Sequence, residues 1–202
     1  MVTLCMRFKN NKRVFFAVMT FFICNISFST LSAQEKEITI VQNPVSFGYD
    51  KKHTRKEADI DTVIIHSTHS IGKDKFSFKG VLSLYKRYHV APHYVINRLG
   101  IVHALVPLDR IAFHAGFGII KGDTESKKKI NERSIGIEII NSKDIGPNDL
   151  QYQSLQRLLS LIKKEHAITY VLGHSDVDPD RKTDPWKFDW EKIKKEGAKD
   201  KK

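Results

Sequence analysis

Cysteine is nearly absent from the sequence: there are two among 202 residues, and both, Cys5 and Cys24, lie near the N-terminus. The chain beyond residue 24 therefore has neither a disulfide framework nor a thiol nucleophile. About 170 residues remain if that first segment is removed, which is enough for a hydrophobic core that needs no disulfides. We expect a single domain stabilised by its own core.

The sequence also lacks an apolar run long enough to cross a membrane. The run at residues 14–23 is well short of the ~20 residues that span a bilayer. It follows four basic residues between positions 7 and 13 and precedes the small residues Ser32 and Ala33. This pattern predicts a secretory signal peptide over residues 1–33. We therefore expect a mature chain without a transmembrane span, exported to the periplasm or outer surface of a bacterium.

Acidic residues are too few to balance the basic ones, and the formal net charge is +11. Four of these positive charges precede Glu35, the first acidic residue, so the chain without its signal peptide carries +7. A basic surface favours anionic partners. Export argues against nucleic acid, and an anionic cell-wall polymer fits better. The lysine-rich end, residues 191–202, is expected to be a solvated tail.

Hydrophobic periodicity alternates between strand-like and helix-like segments after residue 60. The predicted strands are 61–66, 93–97, 101–106, 134–140 and 170–172, and the predicted helices are 78–89 and 147–166. This order favours one α/β domain over residues 61–190, with a mixed central β-sheet flanked by helices. An N-terminal segment, 34–60, precedes it. Residues 116–132 lack periodicity and predict a surface loop, which is either a variable insertion or a lip of the site.

Three residues in two parts of the chain outline a metal site. His66 ends a predicted buried strand, while His174 and Asp184 lie on one irregular segment that Pro179 allows to turn back. Two imidazoles and one carboxylate suit a borderline ion such as Zn²⁺, and three protein ligands leave a fourth position open for water. The sequence therefore predicts a zinc site in a surface cleft and metal-assisted hydrolysis.

Other readings of the same segment fail at particular positions. Asp176, Asp178 and Asp180 are spaced like the start of an EF-hand calcium loop, but Arg181 replaces its glycine and Lys187 its closing glutamate. The GxSxG motif of serine hydrolases and the HExxH motif of many zinc peptidases are both absent. Calcium binding and serine hydrolase chemistry are therefore set aside.

Five motifs between Asp61 and Trp186 carry a specific family resemblance. In chain order they read IIHS, APHYVINRLGIVHALVP, IAFHAG, SIGIEI and GHSDVDPDRKTDP. In order and spacing they resemble the type-2 N-acetylmuramoyl-L-alanine amidases, including the AmpD-like enzymes, which are related to the peptidoglycan recognition proteins. The resemblance implies zinc-dependent hydrolysis of the amide between N-acetylmuramic acid and L-alanine of peptidoglycan or muropeptides. It also implies that His66, His174 and Asp184 are the zinc ligands.

The resemblance further assigns roles around the zinc-bound water that would attack the amide. It implies that Glu138 is the general base and then acid, and that Lys182 stabilises the oxyanion. Tyr94 resembles a tyrosine that some relatives place beside this water. His114 matches a histidine that contacts substrate, although Phe113 stands where the family has tryptophan.

Two further functions use the same fold or chemistry. A non-catalytic peptidoglycan-binding module is the main alternative, but such modules typically lack a zinc ligand. This chain keeps all three ligands together with Glu138 and Lys182, which favours the enzyme. A zinc peptidase that cuts within the stem peptide is the other alternative, and product analysis would separate it from an amidase. We expect the protein to be a monomer.

Overall fold

The computed structural model describes residues 38–123 and 130–194, which all belong to one compact unit. The signal peptide predicted over residues 1–33 and most of the tail at 191–202 lie outside these residues, so both stay predictions. So does the role of the loop that includes residues 124–129. Within the described part of the chain, no helix is long and apolar enough to cross a membrane.

The described residues contain eight strands. They are β1 (Ile40–Gln42), β2 (Tyr49–Thr54), β3 (Thr62–Thr68), β4 (Tyr94–Ile96), β5 (Val102–Ala104), β6 (Arg110–Ala112), β7 (Ser134–Ile140) and β8 (Tyr170–Gly173). Six of them form a central sheet in the order β1-β5-β4-β7-β3-β8, and β2 pairs with β6 in a second, antiparallel sheet. All neighbours in the central sheet are parallel except the hairpin β4–β5. The sheet is therefore mixed, as the sequence predicts.

Helices cover both faces of this sheet. The described helices are α1 (Phe78–Tyr88), α2 (Ile130–Arg133), α3 (Asp149–Glu165), α4 (His174–Val177) and α5 (Glu191–Lys194), with a 3-10 turn at Glu57–Asp59. Leucines of α3 pack on one face against β3 and β7, whereas Val81 and Tyr85 of α1 pack on the other face. This arrangement confirms the predicted fold class.

Strands β3 and β7 form the centre of the sheet, and their side chains alternate between its two faces. All seven residues of β3 are buried, as expected for a parallel strand covered on both sides. Ile135, Ile137 and Ile139 of β7 face α3, so Glu138 faces the side covered by α1. Glu138 lies directly opposite His66 in the parallel register. The two polar side chains therefore leave the sheet on the same face.

Capping side chains define the ends of the two long helices. Ser77 accepts a hydrogen bond from the Gly80 amide at the start of α1, and His89 ends that helix in the left-handed conformation. Asn148 and Gln151 form a reciprocal capping box at the start of α3. The helices thus begin and end close to the predicted limits.

Two sequence-based boundaries differ from the structure. The predicted loop at 116–132 includes the start of a short helix, α2, so it is not irregular throughout. The segment 34–60 supplies β1, which pairs with β5 at one edge of the central sheet, and β2. Both regions depend on pairing or packing with distant parts of the chain, which local periodicity does not reveal.

Candidate active site

The three predicted metal ligands converge at the carboxyl ends of neighbouring parallel strands, where open α/β sheets commonly form ligand sites. His66 lies near the end of β3, and His174 follows β8 directly. The segment then turns back, because the Ser175 amide donates a 2.8 Å hydrogen bond to the Asp184 carbonyl. Gly173 allows this close approach, since a Cβ there would lie only 2.6 Å from Cδ of Pro185.

The ligand atoms of this group form a small triangle. Nδ1 of His66 lies 3.0 Å from Nδ1 of His174. Oδ2 of Asp184 lies 3.3 Å from each of these nitrogens. Tetrahedral ligands held at about 2.0–2.1 Å from one metal ion are about 3.3 Å apart. Within residues 38–123 and 130–194, this is the one cluster of three such side chains that could hold a metal ion.

The hydrogen bonds behind the triangle leave the atoms of His174 and Asp184 as acceptors. Nε2 of His174 lies 3.3 Å from the carbonyl oxygen of Ala115, which can only accept, so Nε2 carries the proton and Nδ1 a lone pair. The carboxylate of Asp184 is also an acceptor. Acceptor atoms this close repel each other unless a cation lies between them. The residues present therefore fit a metal ion.

Burial keeps the imidazoles of His66 and His114 neutral at ordinary pH. Burial lowers the pKa of His66 to about 4, and it also lowers the pKa of His114 well below its usual range. Metal binding requires the unprotonated form of histidine. His66 therefore does not need to lose a proton before a metal ion enters near pH 7.

Glu138 lines the cleft that contains the three metal ligands. Its side chain is half-buried, and its Oε2 atom is buried. Within the described residues Oε2 has no hydrogen-bond partner. Burial, and then the negative charge of Asp184, raise the pKa of Glu138 well above its usual value, and the Lys182 cation only partly opposes this. A carboxylic acid with a raised pKa can both accept and donate a proton near neutral pH. Glu138 therefore lines the same cleft as the metal ligands, and its role as general base and acid stays a prediction.

The cleft around the metal ligands has a volume of about 380 Å³. A second cavity of about 240 Å³ adjoins it, and Phe113, His114 and Lys182 line both. Tyr88 and Trp186 add aromatic surface to the larger cleft. The structure therefore places Lys182 and His114 at the junction of the two cavities. The predicted substrate contact of His114 stays a prediction.

The sequence-based role of Tyr94 is wrong. Tyr94 pairs with Ile137 of β7, not with Glu138, and packs in the core on the α3 side of the sheet. Because side chains of a strand alternate between faces, Tyr94 points away from the cleft. Val95, its neighbour, lies opposite Glu138.

A different tyrosine, which sequence reasoning missed, lines the cleft. Tyr85 comes from α1, and its hydroxyl group is buried. Burial, and then the charge of Glu138, raise the pKa of Tyr85 well above its usual value, so it remains a proton donor. In the sequence, Tyr85 is one residue of the predicted helix 78–89, and no motif distinguishes it.

The two tyrosines give a direct mutational comparison. We expect Tyr94→Phe to leave kcat/KM for the amide hydrolysis that the family resemblance implies unchanged within about twofold, because its hydroxyl lies on the far face of the sheet. We expect Tyr85→Phe to lower kcat/KM about tenfold, because Tyr85 lines the cleft and its hydroxyl is available to donate one hydrogen bond to charge that develops there. Steady-state kinetics of both variants check this, and equal losses would contradict the assignment of faces.

Comparisons with known proteins agree with this geometry. Residues 56–187 match the family described as N-acetylmuramoyl-L-alanine amidase, Amidase_2. The 1,6-anhydro-N-acetylmuramyl-L-alanine amidase AmpD of Haemophilus influenzae is 38% identical over 108 residues, which cover 52% of this chain and 56% of that protein. A crystal structure of a selenomethionine derivative of AmpD aligns with a TM-score of 0.62 and 27% identity, over 79% of this chain and 93% of that one.

More distant structures share the fold alone. The ectodomain complex of two peptidoglycan recognition proteins bound to tracheal cytotoxin aligns with a TM-score of 0.54 and 20% identity, over 78% of this chain and 96% of the matched one. The family match spans well over half of the sequence, so the chain belongs to the N-acetylmuramoyl-L-alanine amidase family. The chain spans only slightly more than half the length of the AmpD protein from Haemophilus influenzae.

Proposed function

We propose that this protein is a zinc-dependent N-acetylmuramoyl-L-alanine amidase, which hydrolyses the amide between N-acetylmuramic acid and L-alanine in peptidoglycan or its muropeptide fragments. Family membership supports the reaction type. The predicted signal peptide supports a place of action outside the cytoplasm, where peptidoglycan lies. Both the export and the monomeric state remain part of the proposal.

The observation that carries the proposal is the combination of groups in one cleft. The acceptor triangle of His66, His174 and Asp184 has the dimensions of a tetrahedral metal site. Glu138 and Lys182 line the same cleft. A binding module has no use for a carboxyl group beside a metal site whose Oε2 atom is buried without a hydrogen-bond partner among the described residues, because burying a polar atom in this way costs stability. The arrangement therefore favours catalysis over binding alone.

Each residue contributes a separate part of amide hydrolysis. When bound, zinc supplies a Lewis acid beside which water loses its proton more readily and the amide carbonyl is polarised. Glu138 can take a proton from the attacking water and return it to the leaving nitrogen, because its raised pKa suits both steps. Lys182, at the junction of the two cavities, can stabilise the negative charge that develops on the carbonyl oxygen.

The proposed metal dependence can be tested with purified muropeptides. We expect chelator-treated protein to lose hydrolysis and to regain it on addition of one equivalent of zinc, but not of magnesium, since two imidazoles and one carboxylate suit zinc better. Release of stem peptide is followed by chromatography. Full activity after the metal content falls below one tenth of an equivalent would contradict the proposal.

A further inference from the structure

Both ring nitrogens of His114 make hydrogen bonds inside the protein. Its Nδ1 lies 3.0 Å from Nε2 of His66, on the side of that ring opposite the metal triangle. Its Nε2 lies 3.2 Å from Oγ of Ser134, the first residue of β7. His114 therefore links one metal ligand to the central sheet.

The hydrogen bond made by Ser134 determines which atom donates in each of the other two. The Ser134 hydroxyl donates to the carbonyl oxygen of Ile130 at 2.6 Å, so its oxygen is left to accept a proton from Nε2 of His114. A neutral His114 with its proton on Nε2 has an acceptor at Nδ1. Nε2 of His66 must then donate, and its proton is fixed there. The lone pair of His66 consequently lies on Nδ1, which faces the metal triangle.

Two other residues fix the position of the His114 ring. Oδ1 of Asn131 accepts hydrogen bonds from the amides of Ala115 at 2.8 Å and Gly116 at 3.2 Å, which holds this stretch of backbone in place. Gly136 of β7 lies under the ring, since a Cβ there would come within 2.4 Å of Cγ of His114. The ring therefore has one position and one consistent set of hydrogen bonds.

We propose that His114 is a positioning residue for the metal centre: with Ser134, it holds His66 in the tautomer whose Nδ1 can bind the metal ion, and so sets the zinc affinity. The inference rests on the proposed zinc site. It assigns His114 a role in the protein interior, besides its place on the cleft wall. A partner that orients a ligating histidine typically contributes 10–100-fold to metal affinity.

Zinc affinity of the purified protein, measured without substrate by competition with a chromogenic chelator, tests the proposal. We expect His114→Phe to bind zinc about 10–100-fold more weakly than the wild type. His114→Asn can offer its amide oxygen to His66 and should recover part of this loss. Ser134→Ala should give a smaller loss, because His114 then lacks the acceptor that sets its tautomer. The exposed His53, replaced by phenylalanine, is the matched control.

The imidazole nitrogen-15 NMR shifts of His66 in the metal-free protein provide a second readout, which a purely structural role would not change. We expect the proton on Nε2 in the wild type and a mixture of tautomers in His114→Phe. If His114→Phe does not fold, zinc affinity and the His66 tautomer are measured in Ser134→Ala instead. Unchanged zinc affinity, or weaker binding with an unchanged His66 tautomer, would overturn the inference. Absence of zinc binding in the wild type would instead overturn the proposed function.

Discussion

We expect Asp184→Ala to abolish zinc binding and to lower muropeptide hydrolysis by about 10³-fold or more, because the Lewis acid contributes several kcal/mol to the reaction. Asp184 supplies the only negative charge of the acceptor triangle. Without it, two neutral imidazoles alone face the ion. Metal content after dialysis and the rate of stem-peptide release are the two quantities to measure.

Two companion variants make this result specific. Asp180→Ala removes an exposed carboxylate from the same segment and should retain both zinc and activity. Asp184→Cys offers a thiolate, a good zinc ligand, and should restore zinc binding in part. Zinc binding by Asp184→Ala equal to that of the wild type would contradict the assigned ligand set.

We expect Glu138→Gln to lower kcat by about 10²–10⁴-fold, the usual contribution of a general base and acid, and to retain zinc binding. Glutamine keeps the shape of the side chain but can no longer take a proton from water. Steady-state kinetics combined with metal analysis separate this loss from loss of the ion. Wild-type activity in Glu138→Gln would remove Glu138 from the mechanism.

The same substitution should stabilise the metal-free protein at neutral and alkaline pH. The pKa of Glu138 is raised on folding, so above its ordinary value near 4.5 the folded state holds a proton that the unfolded state has lost. The free energy of unfolding of the wild type therefore falls as the pH rises through this window. Glutamine does not titrate, and each ~1 kcal/mol gained would raise the melting temperature by roughly 2–4 °C. Thermal melts at pH 4 and pH 8 measure the difference.

The sequence predicts the central elements well because their signals are local. Strand β7 has the predicted limits of 134–140, and α3 lies within the predicted 147–166, since a buried β-branched run and a long amphipathic stretch are read directly from neighbouring residues. Strands β1 and β6 have three residues each and no such pattern. They form through pairing with distant strands, which a single sequence does not display.

The difference between local signals and long-range pairing also explains which site residues the sequence predicts. His66, His174, Asp184 and Glu138 occur in motifs that specify them residue by residue. The prediction that Tyr94 lies at the cleft is wrong because the face of β4 that lines the cleft depends on its register with β7. In that register Val95, and not Tyr94, lies opposite Glu138.

No motif assigns a role to the supporting residues, although Ser134 is the first residue of SIGIEI. Tyr85 reaches the cleft through the packing of α1, whereas Asn131 and Ser134 act through hydrogen bonds to the segment around His114. The hydrogen bonds of Asn131 and Ser134 join residues 15 to 20 positions apart. Only the folded arrangement brings them together.

Mass spectrometry of purified muropeptides after incubation with the zinc-loaded protein tests the central claim most directly. The proposed function predicts two products: a free stem peptide that begins with L-alanine and a muramic acid that has lost its peptide. Both should disappear with Asp184→Ala. Cleavage between two amino acids of the stem would instead make the protein a peptidase, and intact muropeptides that co-purify with it would make it a binding module.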